Sequence, residues 1–524
     1  MTQKVSFVAI GLLFSISSLF LARNLAAAEP LVAKGIVFND LNSNGRHETD
    51  EPGVPGVGVS DGQRIVNTDE RGHYELAIKD SGIIFVIKPR DWMTPGTKDG
   101  LPLFYHLHKP EGSPKQLTYA GVAPTGALPA SINFPLRSQP EPDQFSIVVM
   151  GDPQPRNESE VNYLAHDVLA EIIGTKAAFG TSLGDIVFDD LNLLPLVNQI
   201  TGTIGIPWYN VLGNHDINFD VDHDDLSDET WERIYGPATY SFNWGPVHFM
   251  VLDDVMYNGS GATPSYHGEF GPTALDFIKA DLKRVPKETL VVVLMHIPLF
   301  DVKDKAQLLH LLSDYPHTLS LSAHRHWQDH FNLDKKGNFT TDHNHHHLVH
   351  GTASGSWWRG HKDEHGIPHA TQADGNPNGY SIITFDQNAY KIRFKGARRP
   401  AGMQLHIALP SAVSQQELSE TLAVVNVYSG DRNTKVTMQF GQNGTPIEMQ
   451  QVRRTDPYVV AAHGREKDNA LPDGRPLPEP VATNHIWVGP LPKTLTIGAH
   501  VVIVTATDRY GQVDQGSRIL RVTE

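Results

Sequence analysis

"FSIVVMGDPQPR", residues 145–156, holds the turn on which the fold depends. Val148, Val149 and Met150 read as a buried strand, which breaks at Gly151, Asp152, Pro153 and Gln154. In α/β patterns a polar side chain at the carboxyl end of a strand faces a ligand. The same arrangement recurs downstream. Asp185 and Asp189 follow the apolar run in "TSLGDIVFDD", and Asn214, His215 and Asp216 follow "YNVLG". His296 ends "VVVLMH", and His324 and His326 end "LSLSAHRH". Helical patterns lie between these runs: "ESEVNYLAHDVLAEIIG" reads as one helix with Val161, Leu164, Val168, Leu169 and Ile172 on a single face, and "GPTALDFIKADLKRV" and "DKAQLLHLLSDY" as two more. "ATYSFNWGPVHFMVLDD" adds a hairpin turning at Asn243–Gly245. Strand and helix alternating in this way predict a layered α/β domain over 144–398.

The flanks differ. Residues 29–138 show short alternating runs split by Gly, Pro, Asn and Asp, which predict an all-β module. It resembles the prealbumin-like or Cna-B-like sandwiches of bacterial surface proteins. "PLRSQPEPD", 135–143, reads as a linker, and 400–524 as a second β-sandwich. "DLNSNGRHETDE", 40–51, fits the oxygen spacing of a calcium loop without flanking helices, so a structural calcium in the N-terminal module is one expectation and a plain Asn/Gly turn the other.

The chain has 524 residues, a formal net charge of −16 and no basic block, which disfavours nucleic acid and anionic membrane surfaces as partners. It contains no cysteine, so thiolate metal sites, Cys nucleophiles and disulfides are excluded. Lys4, an apolar stretch to Ala22 and then Ala26, Ala27 and Ala28 read as a signal peptide over 1–28, predicting a periplasmic or secreted protein that leaves the membrane after cleavage.

Asp152, Gln154, Asp185, Asn214, His296, His324 and His326 offer only oxygen and nitrogen donors, which suits divalent first-row metals. The ordered set D-x-(H/Q), GDxxxD, GNHD, H and HxH is similar to the calcineurin-like metallophosphoesterases, and the flanking β regions with "HGTASGSWW" and "DGNPNGY" resemble a three-domain bacterial subgroup. That resemblance implies a four-layer β-sandwich flanked by helices and a dinuclear phosphoesterase acting on a phosphomonoester or phosphodiester through a metal-bridging hydroxide. It implies that Asp185 bridges both metals, that Asp152, Gln154 and His326 complete the first, and that Asn214, His296 and His324 complete the second. It further implies that His215 approaches the substrate while Asp216 holds its imidazole.

Gln154 stands where histidine is usual, and its harder, neutral oxygen tilts the first site toward Mn, Mg or Fe and weakens Zn, so the expected cofactors are two divalent ions, Mn, Fe or Zn, with Mn favoured. Ala323 stands where glycine is usual before HxH. Arg156 and Arg359 are candidate phosphate contacts, Trp357 and Trp358 a candidate sugar or base platform, and "HNHHHLVH", 343–350, a candidate pocket segment. The expected substrate is a small or glycan-linked phosphate ester. A purple acid phosphatase is disfavoured because "GDIVFDD" lacks the tyrosine of that pattern. The alternative is a cell-surface or glycan-binding protein on an inactive metallophosphoesterase-like scaffold.

Overall fold

The computed structural model describes residues 31–260, 265–334, 344–468, 471 and 474–524. The expected signal peptide and His343 lie outside these residues. Among the described residues no helix is long and apolar enough to cross a membrane.

Two mixed sheets carry the middle of the chain. The first contains β1 (Gln144–Met150), β2 (Phe179–Leu183) and β3 (Trp208–Val211), and the second β4 (Tyr240–Trp244), β5 (Val247–Val251), β6 (Leu290–Leu294), β7 (Thr318–Ser322), β8 (Asp329–Leu333) and β9 (His345–Val349). The first sheet is completed by β10 (Gly379–Asp386) and β11 (Ala389–Gly396). Strand orders are β3-β2-β1-β10-β11 and β4-β5-β6-β7-β9-β8. The strands β1, β2 and β3 run parallel, as do β5, β6, β7 and β9. Side chains alternate across a strand, so each apolar run serves two cores. Ile147 and Val149 of β1 join Val292, Leu294, Leu319 and Leu321 in one cluster. Val148 and Met150 point the other way, into a cluster with Val161, Leu164 and Val168 of the following helical segment.

That segment is not one uniform helix. It runs as α1 (Glu158–Leu164), a π turn over Ala165–Leu169 and a last short helical turn, Ala170–Ile172. The five expected apolar residues are all buried. Asp167, inside the π turn, is buried with them and accepts hydrogen bonds from Asn378 Nδ2 at 2.6 Å and Arg398 Nε at 2.5 Å. The hairpin turn also lies slightly later than expected, since Trp244 pairs with Val247 and Gly245–Pro246 make the corner.

Two sheets of four strands form the N-terminal region, and two sheets of four and five strands the C-terminal region. The C-terminal region also contains a helix, Pro457–Asp468, that the expected all-β pattern did not include. The N-terminal strand Gly82–Ile87 is buried on both faces. Ile84 and Val86 fill its own module, whereas Phe85 and Ile87 join the core between the two middle sheets, with Phe85 5.8 Å from Phe277 between ring centroids.

Just beyond it, buried Lys88 donates to Glu141 Oε1 at 2.5 Å and to the Asn243 carbonyl at 2.7 Å. Glu141, from the Pro-rich linker, also accepts from Gly245 N at 2.8 Å. One buried ion pair thus ties linker, module and hairpin together. Glu141→Leu leaves the Lys88 charge buried and unpaired, an expected loss of about 3–5 kcal/mol, while Lys88→Met/Glu141→Leu together recovers most of it. Urea unfolding midpoints of the two variants check this.

Candidate metal centre

Asp152 lies two residues beyond β1, Asp185 two beyond β2 and Asn214 three beyond β3. His296 and His324 each lie two beyond β6 and β7. These are all carboxyl ends, so the two sheets deliver their polar residues to one shared edge.

His296 organises one half of the cluster. Its Nδ1–H donates to the Leu183 carbonyl at 2.8 Å, which turns the Nε2 lone pair toward Asn214 Oδ1 at 3.0 Å, His324 Nδ1 at 3.2 Å and Asp185 Oδ1 at 3.3 Å. The donor atoms of Asp185, His296 and His324 all lie within 4.8 Å of one another. The other half gathers around Asp152. Its Oδ1 and the Oε1 of Gln154 are buried without a hydrogen-bond partner. His326 Nε2 is 3.7 Å from Asp152 Oδ1, while His326 Nδ1 donates to the Gly355 carbonyl at 2.5 Å. Asp185 serves both halves: Oδ1 faces His296, and Oδ2 accepts from Gln154 Nε2 at 2.7 Å. Buried oxygens without partners are rare in native proteins. Here they sit with lone pairs of other donors aimed at the same space, and the residues fit two divalent cations sharing Asp185.

The backbone is bent to achieve this. Asp152, Gln154, Asp185, His324 and His326 all adopt positive φ, between 35° and 66°. Each such non-glycine conformation costs on the order of 1–3 kcal/mol and persists where the surroundings enforce it. Gly184 and Gly213 give the required close approach. A Cβ on Gly184 would lie 2.3 Å from His296 Nδ1, and one on Gly213 would lie 2.4 Å from Asp185 Oδ1. Ala323 is not among the positive-φ residues, so its Cβ carries no backbone penalty.

The electrostatics call for positive charge. Burial pushes Asp152 well above the ordinary carboxylate range, with the Asp185 charge adding to it. Burial opposes a charge on His296, yet Asp185, Asp152 and Asp254 push its pKa up to about 10, so a proton collects where a cation would be compensated. Burial holds His324 down to about 3 and His326 down to about 4, which keeps both imidazoles neutral, the form that ligates metal. Asp254, which the sequence patterns did not single out, is fully buried and accepts from the backbone N–H groups of His296 and Ile297 at 3.2 and 2.9 Å. It fixes the loop that carries His296.

The expected role of Asp216 is not what the structure shows. Its carboxylate accepts the backbone N–H groups of Gly213, Ile186 and Val187 at 2.9, 3.1 and 3.1 Å, bracing two loops from below. The imidazole of His215 is held instead by Asp189, whose Oδ1 is 2.5 Å from His215 Nδ1, and by Phe188, stacked on the ring at 4.3 Å. His215 N donates to Asp185 Oδ1 at 3.0 Å, so the ring lies beside the cluster with Nε2 free of these bonds.

Trp358 is not a substrate platform: it is 3% exposed and its indole N–H donates to the Pro153 carbonyl at 3.0 Å, which fixes the loop holding Asp152 and Gln154. Trp357 stacks on His326 at 4.0 Å. Arg359 lies over Trp357, and Arg156 over Phe188. The histidines of β9 are not a pocket wall either. His345 and His347 bond to the hydroxyls of Thr318, Ser320 and Ser322 within the sheet, and His346 bonds to His330 and Tyr390. In the loop 40–51 the carboxylates of Asp40 and Glu51 accept backbone N–H groups of the loop itself.

A buried carboxylate shared between two oxygen-and-nitrogen half-sites at strand ends defines a divalent-metal centre. Residues 41–122 match the N terminal of calcineurin-like phosphoesterase, and residues 347–513 the C terminal of calcineurin-like phosphoesterase. These two matches support the calcineurin-like metallophosphoesterase family with N- and C-terminal modules, a family of metal-dependent phosphoric ester hydrolases. No curated protein matches it in sequence. A purple acid phosphatase from yellow lupin (Lupinus luteus) seeds is a similar solved structure, at 10% identity and TM-score 0.35, over 70% of this chain and 67% of its own, a likeness too low to argue from.

Proposed function

We propose that this chain is an exported phosphoesterase in which Asp152, Gln154, Asp185 and His326 hold one divalent cation and Asp185, Asn214, His296 and His324 a second. The observation that carries this reading is the two-sided carboxylate of Asp185, with the unpartnered Asp152 Oδ1 and Gln154 Oε1 beside it. When bound, such a pair supplies the positive charge that neutralises a phosphoryl group and acidifies water. The chain's own groups do the rest. Asp189 takes the Nδ1–H of His215, leaving Nε2 to hold or deliver a proton at the leaving oxygen. Phe188 keeps the ring from rotating away, and Asp216 and Asp254 keep the ligand loops in register. Export is supported by Lys4, the apolar stretch and the alanines at 26–28.

The test is hydrolysis of p-nitrophenyl phosphate and bis(p-nitrophenyl) phosphate by protein loaded with Mn²⁺, abolished by chelator and restored by metal. Metal binding without hydrolysis of either ester favours the inactive-scaffold alternative. The preferred cation is read in the same assay. Gln154 offers an amide oxygen, so Mn²⁺ is expected to activate better than Zn²⁺, and Gln154→His to shift preference toward Zn²⁺. Superimposable metal titrations of the two proteins mean that Gln154 is not a ligand.

A further inference from the structure

Two aromatic stacks rise beside the ligand cluster, and each ends in an arginine. His215, Phe188 and Arg156 form one, with the Arg156 guanidinium carbon 4.2 Å from the Phe188 centroid. His326, Trp357 and Arg359 form the other, with 5.3 Å between the Arg359 guanidinium carbon and the Trp357 centroid. Both stacks begin on a histidine at the centre and not on a distant surface. A third arginine arrives from the C-terminal region. Arg475 Nη2 donates to the Trp357 carbonyl at 2.6 Å and to Glu160 Oε1 at 3.0 Å, and its own carbonyl accepts from Gly360 N at 2.9 Å. Glu160 Oε2 accepts from Arg156 N at 2.9 Å, so one carboxylate ties the loop after Gln154 to Arg475.

The charges do not cancel. Among the described residues Arg156 and Arg359 make no ion pair, and Glu160 is the carboxylate that meets Arg475. The donors are also unspent: Arg359 Nε and Arg475 Nη1 are buried without a hydrogen-bond partner. A solvated surface arginine has water on every donor. Burial and then the Arg156 charge lower the pKa of Arg359, which places the two guanidiniums within each other's field. In a chain of net charge −16, a local surplus of guanidinium with buried, unused donors is a costly arrangement that an anion would relieve. Trp357 and Trp358 both adopt positive φ, at 56° and 54°, so the backbone is strained at the point where this arrangement is built.

We infer that Arg156, Arg359 and Arg475 form a second anion subsite beside the metal ligands, fitted to a phosphate ester carrying another phosphate within reach of the scissile one. This rests on the phosphoesterase reading for the identity of the first phosphate. The planar guanidinium fork matches phosphate oxygens in pairs, which lysine cannot reproduce.

Calorimetric titration of the full chain loaded with Mn²⁺ tests it. The probes are methylphosphonate, methylenediphosphonate and 1,3-propylenediphosphonate, and the proteins are wild type with Arg156→Gln, Arg359→Gln and Arg475→Gln. Wild type is expected to bind one of the two diphosphonates at least about tenfold more tightly than the monophosphonate. Each variant is expected to lose about tenfold for that diphosphonate and less than about threefold for methylphosphonate, the scale of a lost charge-assisted pair. The spacer at which the loss is greater gives the span between the phosphates. Circular dichroism confirms folding, and the Arg→Lys variants, which keep charge without the fork, are expected to recover only part of the loss. An unchanged ratio of diphosphonate to monophosphonate affinity in all the Gln variants overturns the subsite, as does a wild type without preference. Hydrolysis of p-nitrophenyl phosphate with no such preference sinks the subsite alone. A preference that the variants lose, in a protein that hydrolyses no ester, sinks the phosphoesterase reading and leaves the subsite standing.

Discussion

Asp185→Ala is expected to release both cations and reduce turnover to background. The other proposed ligands each belong to one half-site, whereas Asp185 presents Oδ1 to His296 and Oδ2 to the Gln154 side. The substitution also removes the acceptor for His215 N, so the imidazole loses part of its anchorage. Elemental analysis of the folded variant is the direct measurement. Two metals per chain in a variant with native circular dichroism would refute the shared-ligand assignment. The loss should exceed that of His324→Ala, which removes a donor from one half only.

His215→Ala is expected to keep its metals and lose about 10²–10⁴ in turnover, the scale of a missing general acid. The loss should be largest for esters with poor leaving groups, where the departing oxygen most needs a proton. Burial disfavours the imidazolium, but the charges of Asp185, Asp189 and Asp216 outweigh it and raise the pKa above the usual histidine value. With cations on Asp185 its charge is compensated, and Asp189 is the carboxylate left to hold the imidazolium. A general acid works while protonated, so the rate should fall as pH rises through the His215 pKa. Asp189→Asn should shift that limb downward in pH. Asp216→Asn, which weakens the bracing of two loops, should lower the unfolding midpoint with little change in turnover per folded molecule. Equal effects of the two substitutions on the pH profile would contradict the assignment of Asp189 as the partner of His215.

The positions of the strand ends could be read from the sequence because an apolar run followed by a polar residue is a local signal. The structure brings Asp152, Asp185, Asn214, His296 and His324 to one edge, as those runs require. Which acid holds His215 was not legible. Asp216 adjoins His215 in sequence whereas Asp189 lies 26 residues earlier, and the difference lies in three backbone N–H groups that point at Asp216. The tryptophans misled for a similar reason, since adjacent aromatics look equivalent until the backbone sends Trp358 under Pro153 and Trp357 onto His326. The histidines of β9 read as a pocket segment by composition, but the hydroxyls that satisfy His345 and His347 lie on the neighbouring β7, and His346 meets His330 and Tyr390. Arg475 has no local signature, and its partners Glu160 and Trp357 are set by packing between regions far apart in the chain.

The doubly buried strand Gly82–Ile87 bears on biosynthesis. Its inner face can close as soon as the N-terminal module is made, because Ile84 and Val86 pack against residues of the same module. Phe85 must wait for Phe277, roughly 190 residues later in the chain. At ~5–20 residues per second that interval is roughly 10–40 s. During this time a completed module displays an apolar strip that only later chain covers. A module expressed alone would keep that strip as a sticky face with nothing to cover it.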